Sequence, residues 1–578
     1  MKYDLIINKL SGHDKTGTIG KINVKEGDSI KHGDVLFIIE SQKGTLKFVS
    51  DYDGILEKLS IHEGDIVEKK QVIGIVEGEC ASPESCDINT IKETPKKTLK
   101  TSYSFGISKP QKKEYEKEVV VVGGGPGGYV AAIRAAQNGK SVLLIEEDRL
   151  GGTCLNYGCI PTKAIISSVD LLRKIKVSEE FGLEVEGLKI NMPDIIERKG
   201  NVVNNLVSGV EHLMEKNKIE VIEGRAQVED KNILSVKNKK IDAKIKFENL
   251  IIATGSSPKS IPIEGSDCGS ILNSKDLLEL KEIPQSMTII GGGVIGMEFA
   301  FIFNSLGTKV NIIEFFPSIL NNMDDDIIEV VRESAIKSGI KLYENSCATS
   351  IKTSLEGTKI VEFRTEDSHN ILISDKVAIA VGRSANIDSL DLEKLGVELN
   401  ENESGISVDS KMRTSNEAIY AIGDVTNIMQ LAHVASHQGI VAADNIAGIY
   451  SEMHYDNIPS AVFTFPEVGS TGLTEKECTQ RNIEYKIGKF PLFANGKAQA
   501  MGETEGFVKI IANAETNLVI GGSIAGIHAT DLLSVITNLI DSKTSIDKAS
   551  HTIYAHPTTS ESVHEAILSA DNKGIHYV

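Results

Sequence analysis

Two cysteines five residues apart, Cys154 and Cys159 in the stretch GGTCLNYGCIPTK, are the side chains whose type and spacing point most directly to chemistry. A zinc centre would need further thiolate or imidazole ligands at suitable spacing, and the sequence downstream offers no matching pair. A redox pair fits better. At the start of a helix, unpaired backbone N–H groups stabilise a thiolate and make it an effective nucleophile or leaving group. Seven cysteines in 578 residues do not form a disulfide framework, so a close pair in a reducing compartment is a candidate for catalysis.

The segments around the pair must position it. Just upstream, VVVVGGGPGGYVAAIRAAQNGKSVLLIEE places Gly123, Gly125 and Gly128 as G-x-G-x-x-G between an apolar run and a helical pattern, with Glu146 ending the next apolar run. Glycines let the backbone approach a pyrophosphate, the helix N-terminus faces its charge, and an acid about 20 residues on binds ribose hydroxyls. The pattern recurs in MTIIGGGVIGMEFAFIFNSLGTKVNIIEFF, with Gly291, Gly293, Gly296 and Glu314. Two dinucleotides are implied. An acid at the second site favours NAD over NADP, where arginine is expected, and the first site is open to FAD or NAD. The short apolar runs that open both units predict strands of parallel sheets buried on both faces.

Residues 17–40 and 54–77 align at a constant offset of 54 − 17 = 37, superposing Gly17 on Gly54 and two EGD turns. Short alternating strands between Gly-Asp turns predict a pseudo-twofold all-β sandwich, with Lys43 in the turn that joins its halves. Polar, Pro- and Lys-containing sequence follows and reads as a tether, with a typical reach of ~30–40 Å for some 40 flexible residues. Cys80 and Cys86 in it read as incidental thiols. With 62 basic against 81 acidic residues the net charge is −19, which argues against nucleic acid and anionic membranes as partners. No apolar run approaches the ~18 residues of a membrane span, and the N-terminus lacks a secretory signal, so a cytoplasmic location is expected.

Taken together, GGTCLNYGCIPTK, IIATGS (251–256), AIYAIGDV (418–425) and YAHPTTSE (554–561) make residues 117–578 resemble the dihydrolipoamide dehydrogenases, within the flavin disulfide reductases. The resemblance implies two Rossmann-like α/β domains and an α+β C-terminal dimerisation domain. It divides the chain into a lipoyl-type domain (1–78), a linker (79–116), an FAD domain (117–270), an NAD domain (271–385), a central FAD-contacting segment (386–455) and a dimerisation domain (456–578).

It further implies that Cys154 is the exchanging sulfur and Cys159 the one against the flavin, and that His556 and Glu561 form the acid–base pair, supplied in relatives by the partner subunit. Lys163, Thr254, Gly255, Asp424 and Ala432 would join the first glycine turn and Glu146 in holding FAD. Glu298, paired with Lys163, and Gly382 would join the second turn and Glu314 in holding NAD. Tyr554 stands where many relatives have a histidine, and His433 and His437 read as structural.

The N-terminal repeat resembles lipoyl domains, which implies a lipoyl group on Lys43. Gln42 stands where relatives carry aspartate, and the methionines that flank a biotinyl lysine are absent. The expected activity is oxidation of dihydrolipoyl groups with reduction of NAD+ through a redox disulfide and FAD, in a homodimer serving the lipoyl domains of a multienzyme complex. The alternatives are a lipoyl carrier with an inactive reductase half, or another reductase of this class. Glu314 argues against an NADPH-dependent glutathione-type enzyme, and the lack of a C-terminal cysteine pair argues against a mercuric reductase.

Overall fold

The computed structural model describes residues 2–7, 16–41, 44–50, 52–68, 71–80 and 110–577. The chain forms two compact units, divided near residue 106.

In the N-terminal unit the repeat becomes two four-stranded antiparallel sheets. One contains Lys2–Ile6, Val72–Cys80, Tyr52–Leu59 and Ser29–Ile30; the other contains Gly44–Val49, Val35–Ser41, Thr16–Ile22 and Ile66–Glu68. Each half lends its short strand to the other: Ile30 pairs with Gly54, and Val67, its equivalent, pairs with Gly17. The EGD turns explain why the repeat is so regular. Glu26 accepts the backbone N–H of Leu59 and Glu63 that of Ile22, both at 2.9 Å, so each turn caps a strand of the opposite half. Gly27 and Gly64 take φ of 94° and 95°, where a side chain would be strained. Ile19 and Leu56, Ile30 and Val67, and Ile39 and Val76 fill one core in equivalent pairs. The strands on either side of Lys43 pair down to Ser41 opposite Gly44, and Lys43 itself lies outside the described residues.

The larger unit contains two nucleotide-type sheets built on one plan. In the first, Glu220–Glu223, Val142–Glu146, Gln111–Val122 and Ile241–Ile252 run parallel, and Ile419–Ala421 adds to the far side of the last. In the second, Lys341–Tyr343, Lys309–Ile313, Ser286–Ile290 and Lys376–Ile379 repeat that order. Residues 119–122 and 287–290 are buried throughout, as continuous apolar runs between two helical layers must be. Helix Ala432–Ile446 packs on Pro126–Gln137, and the glycines Gly127 and Gly439 permit the close approach. A five-stranded antiparallel sheet with helices Ala529–Asp541 and Glu561–Ala570 completes the unit.

Two stretches read as tether are in strands. Cys80 pairs with Tyr52, and the first strand of the larger unit starts at Gln111, not after 116. Its leading residues, QKKEYE, pair with 241–246 but stay largely exposed, so composition disguised a strand as linker. Cys86 lies outside the described residues.

Lys509, fully buried in strand Phe507–Asn513, bonds Asp324 (2.8 Å), Asp326 (2.7 Å) and Glu475 (2.7 Å), tying the second nucleotide domain to the C-terminal sheet. Burial opposes the Asp326 charge, yet Lys509 holds its carboxyl below the usual range. Removing one partner from such a cluster leaves charge buried and uncompensated. Lys509→Met is expected to destabilise the protein by roughly 3–5 kcal/mol, read as a lower urea midpoint at neutral pH. An unchanged midpoint would show that the cluster contributes nothing.

Candidate active site between two dinucleotide turns

Each glycine turn has the same internal geometry. A Cβ on Gly128 would collide with the carbonyl oxygen of Gly123, and one on Gly296 with that of Gly291, so each helix presses directly on its strand. The acids close the turns: Gly124 N–H donates to Glu146 Oε2 at 2.6 Å, and Gly292 N–H donates to Glu314 Oε2. Burial pushes the Glu146 carboxyl up, against the backbone N–H groups it accepts. Helices Pro126–Gln137 and Val294–Leu306 have no side-chain cap and no acid in their first turns, which leaves their positive ends free for phosphate.

Both turns open on one cavity of about 1480 Å³, also lined by Cys154, Cys159, Lys163, Thr254, Gly255, Glu298, Gly382, Asp424 and Ala432. Gly296, close against the Gly291 carbonyl, is not among the residues that line it. The cysteines differ from expectation in one respect: they do not share one helix start. Cys154 sits in helix Gly152–Tyr157 and Cys159 opens helix Cys159–Lys176, with Gly158 between them. Pro161 explains the break, since it belongs in a first turn and cannot donate to a preceding one. Buried Asn156 fixes the first helix by donating to the carbonyls of Leu150 and Gly152, both at 3.0 Å. Both cysteines are free thiols, with Cys159 exposed on the cavity wall. The neighbouring Cys154 thiol and the Lys163 charge lower the Cys159 pKa to about 7, against burial and Glu298. The Cys159 sulfur and burial push Cys154 upward, so it retains the proton.

Lys163 and Glu298 pair as expected, with Nζ 2.9 Å from each carboxylate oxygen. Glu298 also accepts the Phe463 N–H at 3.0 Å, and Lys163 lies 4.2 Å from the Phe463 ring centre. Asp424 accepts from Ser256 Oγ, which in turn accepts from Arg383 Nε at 2.6 Å. Ser256, Arg383 and Asn386 escaped sequence reasoning; Arg383 immediately follows Gly382, but nothing in its neighbours marks it as a site residue. Asn386 donates to the Thr254 carbonyl at 2.9 Å and stiffens that segment.

His556 Nδ1 lies 3.0 Å from Glu561 Oε1, and Thr558 N–H donates to Glu561 Oε2 at 2.9 Å. Burial opposes the Glu561 charge, but these two bonds hold its pKa below the ordinary value. His556 is exposed, and neither it nor Glu561 lines the cavity with the cysteines. Tyr554 stacks on His564, ring centres 5.1 Å apart, and serves as packing beside this loop. Burial lowers the pKa of His433 on helix Ala432–Ile446.

Residues 117–439 match the pyridine nucleotide-disulphide oxidoreductase family, 458–567 its dimerisation domain, and 9–76 a domain described as biotin-requiring enzyme. The chain is 42% identical over 461 residues to the dihydrolipoyl dehydrogenase of Chlamydia muridarum, covering 79% of this chain and 98% of that one. It is 38% identical over 464 residues to one from Bacillus subtilis, covering 79% and 99%.

The chain belongs to the dihydrolipoyl dehydrogenase family.

Among solved structures it resembles LpdA from Mycobacterium tuberculosis (TM-score 0.73, 26% identity, covering 78% of this chain and 99% of that one). It also resembles the HOCl-induced flavoprotein disulfide reductase RclA from Escherichia coli (TM-score 0.69, 28% identity, 78% and 99%). As in dihydrolipoyl dehydrogenases generally, the cofactors are FAD and NAD, and the activity is NAD-dependent oxidation of dihydrolipoyl groups. The two collision-limited glycine turns, their uncapped helices and a cavity larger than the ~300–1,000 Å³ of an ordinary ligand pocket fit two dinucleotides. No helix among the described residues is long and apolar enough to cross a membrane.

Reduced, nucleotide-free protein is expected to show a thiolate absorbance near 240 nm that rises with a midpoint at pH of about 7 and is lost in Cys159→Ser. Lys163→Gln should move that midpoint upward, because it removes the positive charge that favours the thiolate. A midpoint unmoved by Lys163→Gln would show that the lysine does not act on the sulfur.

Proposed function

We propose that the protein works as a homodimer in which each Cys154–Cys159 pair is served by His556 and Glu561 of the second copy, and that Lys43 carries the lipoyl group of an attached substrate arm. The observation that carries the dimeric reading is the separation just described: the histidine–glutamate pair is formed and exposed, yet absent from the cavity that holds the thiols of its own chain.

In the oxidised enzyme Cys154 and Cys159 form a disulfide. His556, held by Glu561 in the orientation that leaves Nε2 free, takes the proton of a dihydrolipoyl thiol. The resulting thiolate attacks the Cys154 sulfur, and Cys159 leaves as a thiolate favoured by its depressed pKa. The second dihydrolipoyl thiol then attacks the lipoyl sulfur of the mixed disulfide and closes the lipoyl ring; Cys154 leaves and takes up that thiol's proton, while the first proton stays on His556. FAD, when bound along the first turn, supplies the two-electron path from the thiol pair to NAD+. Lys163 and Glu298 place their charges on the cavity that both glycine turns share, and Glu314 would accept hydrogen bonds from the adenosine ribose hydroxyls of NAD.

A steady-state assay with dihydrolipoamide and NAD+ tests the assignment. His556→Gln is expected to lower kcat by about 10²- to 10⁴-fold, the usual share of general acid–base catalysis. Co-expressing Cys154→Ser and His556→Gln chains should restore activity in mixed dimers, where one site regains an intact disulfide and a partner's histidine. No restoration in verified mixed dimers would place the histidine in its own chain's site.

The matched domain at 9–76 supports the arm, and Lys43 lies in the sequence that joins the two halves of its repeat. Intact mass spectrometry of protein made with a lipoate supply should show one lipoyl increment that Lys43→Arg abolishes. Unmodified Lys43 in protein from its own cells would leave the domain as a docking module. The carrier serves a multienzyme complex, with the tether raising the local dithiol concentration at the reductase.

A further inference from the structure

The redox stretch contains a contact that neither the thiol chemistry nor the glycine turns require. Tyr157 closes the helix that holds Cys154, two residues before Cys159, and lines the cavity. Its hydroxyl donates to Asp148 Oδ2 at 2.7 Å, and the ammonium of Lys275 lies 3.7 Å from the centre of its ring. Asp148 and Lys275 line the same cavity. Among the described residues Lys275 has no carboxylate partner, so the ring is where its charge is held.

The three side chains act on one another. A phenol that donates to a carboxylate gains electron density on its ring, and a cation over the ring face is attracted by that density. Burial and the bond to Asp148 push the Tyr157 hydroxyl up to about 12, so it remains a donor throughout the working pH range.

Each end of the contact is anchored in a different nucleotide domain. Asp148 follows the first ribose acid by two residues, and its N–H donates to Glu146 Oε1 at 2.8 Å. Lys275 belongs to the short helix Ser274–Leu277, where Asn273 accepts the N–H groups of Lys275 and Asp276 at 2.8 and 3.2 Å. Leu272, just before it, donates to the Val377 carbonyl and accepts from Ile379 N–H, both at 2.9 Å, on strand Lys376–Ile379 of the second sheet. The contact therefore runs from the acid of the first glycine turn, through the redox helix, to the second nucleotide domain, along the wall of the cavity that both turns share.

We propose that Asp148, Tyr157 and Lys275 form a clasp that retains FAD: bound along the first turn, the cofactor leaves its cavity only when the cation lifts from the ring and the two nucleotide domains part at that point. This rests on the reading of the first turn as the FAD site. FAD stays through every turnover while NAD+ enters and NADH leaves, so a device that retains one nucleotide belongs at the first turn.

Full-length protein loaded with FAD tests the clasp, with release followed as flavin absorbance in the filtrate of timed ultrafiltration, a readout that needs no catalysis. Lys275→Met and Tyr157→Leu are each expected to release FAD about tenfold faster than the wild type, the scale of one cation–π contact shielded from water. Lys275→Arg keeps a cation over the ring and should stay within about twofold of the wild type. Asp148→Asn should release FAD about threefold faster, because the ring remains and only its polarisation weakens. Combining Lys275→Met with Tyr157→Leu should give release no faster than either change alone, since both open the same clasp.

Release from Lys275→Met within about twofold of the wild type would overturn the clasp. So would additive single effects, about a hundredfold together, because they would make Lys275 and Tyr157 separate contacts to the cofactor. Wild-type protein that takes up no FAD would overturn the reading of the first turn itself, and the clasp with it.

Discussion

A buried carboxylate that has to be satisfied from two directions governs the architecture of the reductase. Glu298 is almost fully buried, and a carboxylate in that position costs several kcal/mol unless it is paired and hydrogen-bonded. Its partners come from distant parts of the chain: Lys163 from the helix that Cys159 opens, and the Phe463 N–H from the start of the C-terminal domain. Glu298 itself belongs to the helix that follows the second glycine turn. One ion pair thus fixes the redox helix, the NAD domain and the C-terminal domain relative to one another. Lys163 remains partly exposed, and this is functionally apt, because its charge reaches the cavity and acts on the Cys159 sulfur.

Around that junction the two nucleotide domains solve the same problem twice. A dinucleotide needs a backbone that comes close, a helix end with unsatisfied N–H groups and a carboxylate fixed in place. In both domains the acid is fixed by donating groups of the turn itself, Gly124 N–H to Glu146 and Gly292 N–H to Glu314. The difference lies beyond the acid. After Glu146 come acidic and basic residues, whereas after Glu314 come two phenylalanines. Similar backbones thus present different surfaces to their ligands, as expected when function resides in the site rather than in the fold.

The N-terminal unit achieves its symmetry by exchange. Because each half donates a short strand and a glutamate cap to the other, neither half could bury its apolar face alone. The curated relatives align with about four-fifths of this chain, and the remaining fifth corresponds in length to this unit and the segment after it. The chain therefore joins a complete reductase to a module that folds around its own core.

Local physics made much of this legible in advance. Glycine spacing, the following acids and the apolar strands specify a turn that hardly any other sequence can form, so both nucleotide units could be read without coordinates. The 37-residue repeat was equally readable, since two-residue alternation and Gly-Asp turns are local signals. The motif resemblance anticipated the Lys163–Glu298 pair, a contact across 135 residues that no periodicity encodes. Tertiary structure decided the rest. Only packing showed that QKKEYE is a strand, because pairing with 241–246 supplies the hydrogen bonds that its polar composition gave no reason to expect. Only packing split the two cysteines between helices at Gly158 and revealed Arg383 and Ser256 behind Asp424. The exposure of Phe315 and Phe316 on the cavity wall also came from the fold, since nothing local to the two residues decides whether they face core or solvent. Burial and long-range hydrogen bonding depend on what folds against a segment, and that information lies elsewhere in the chain.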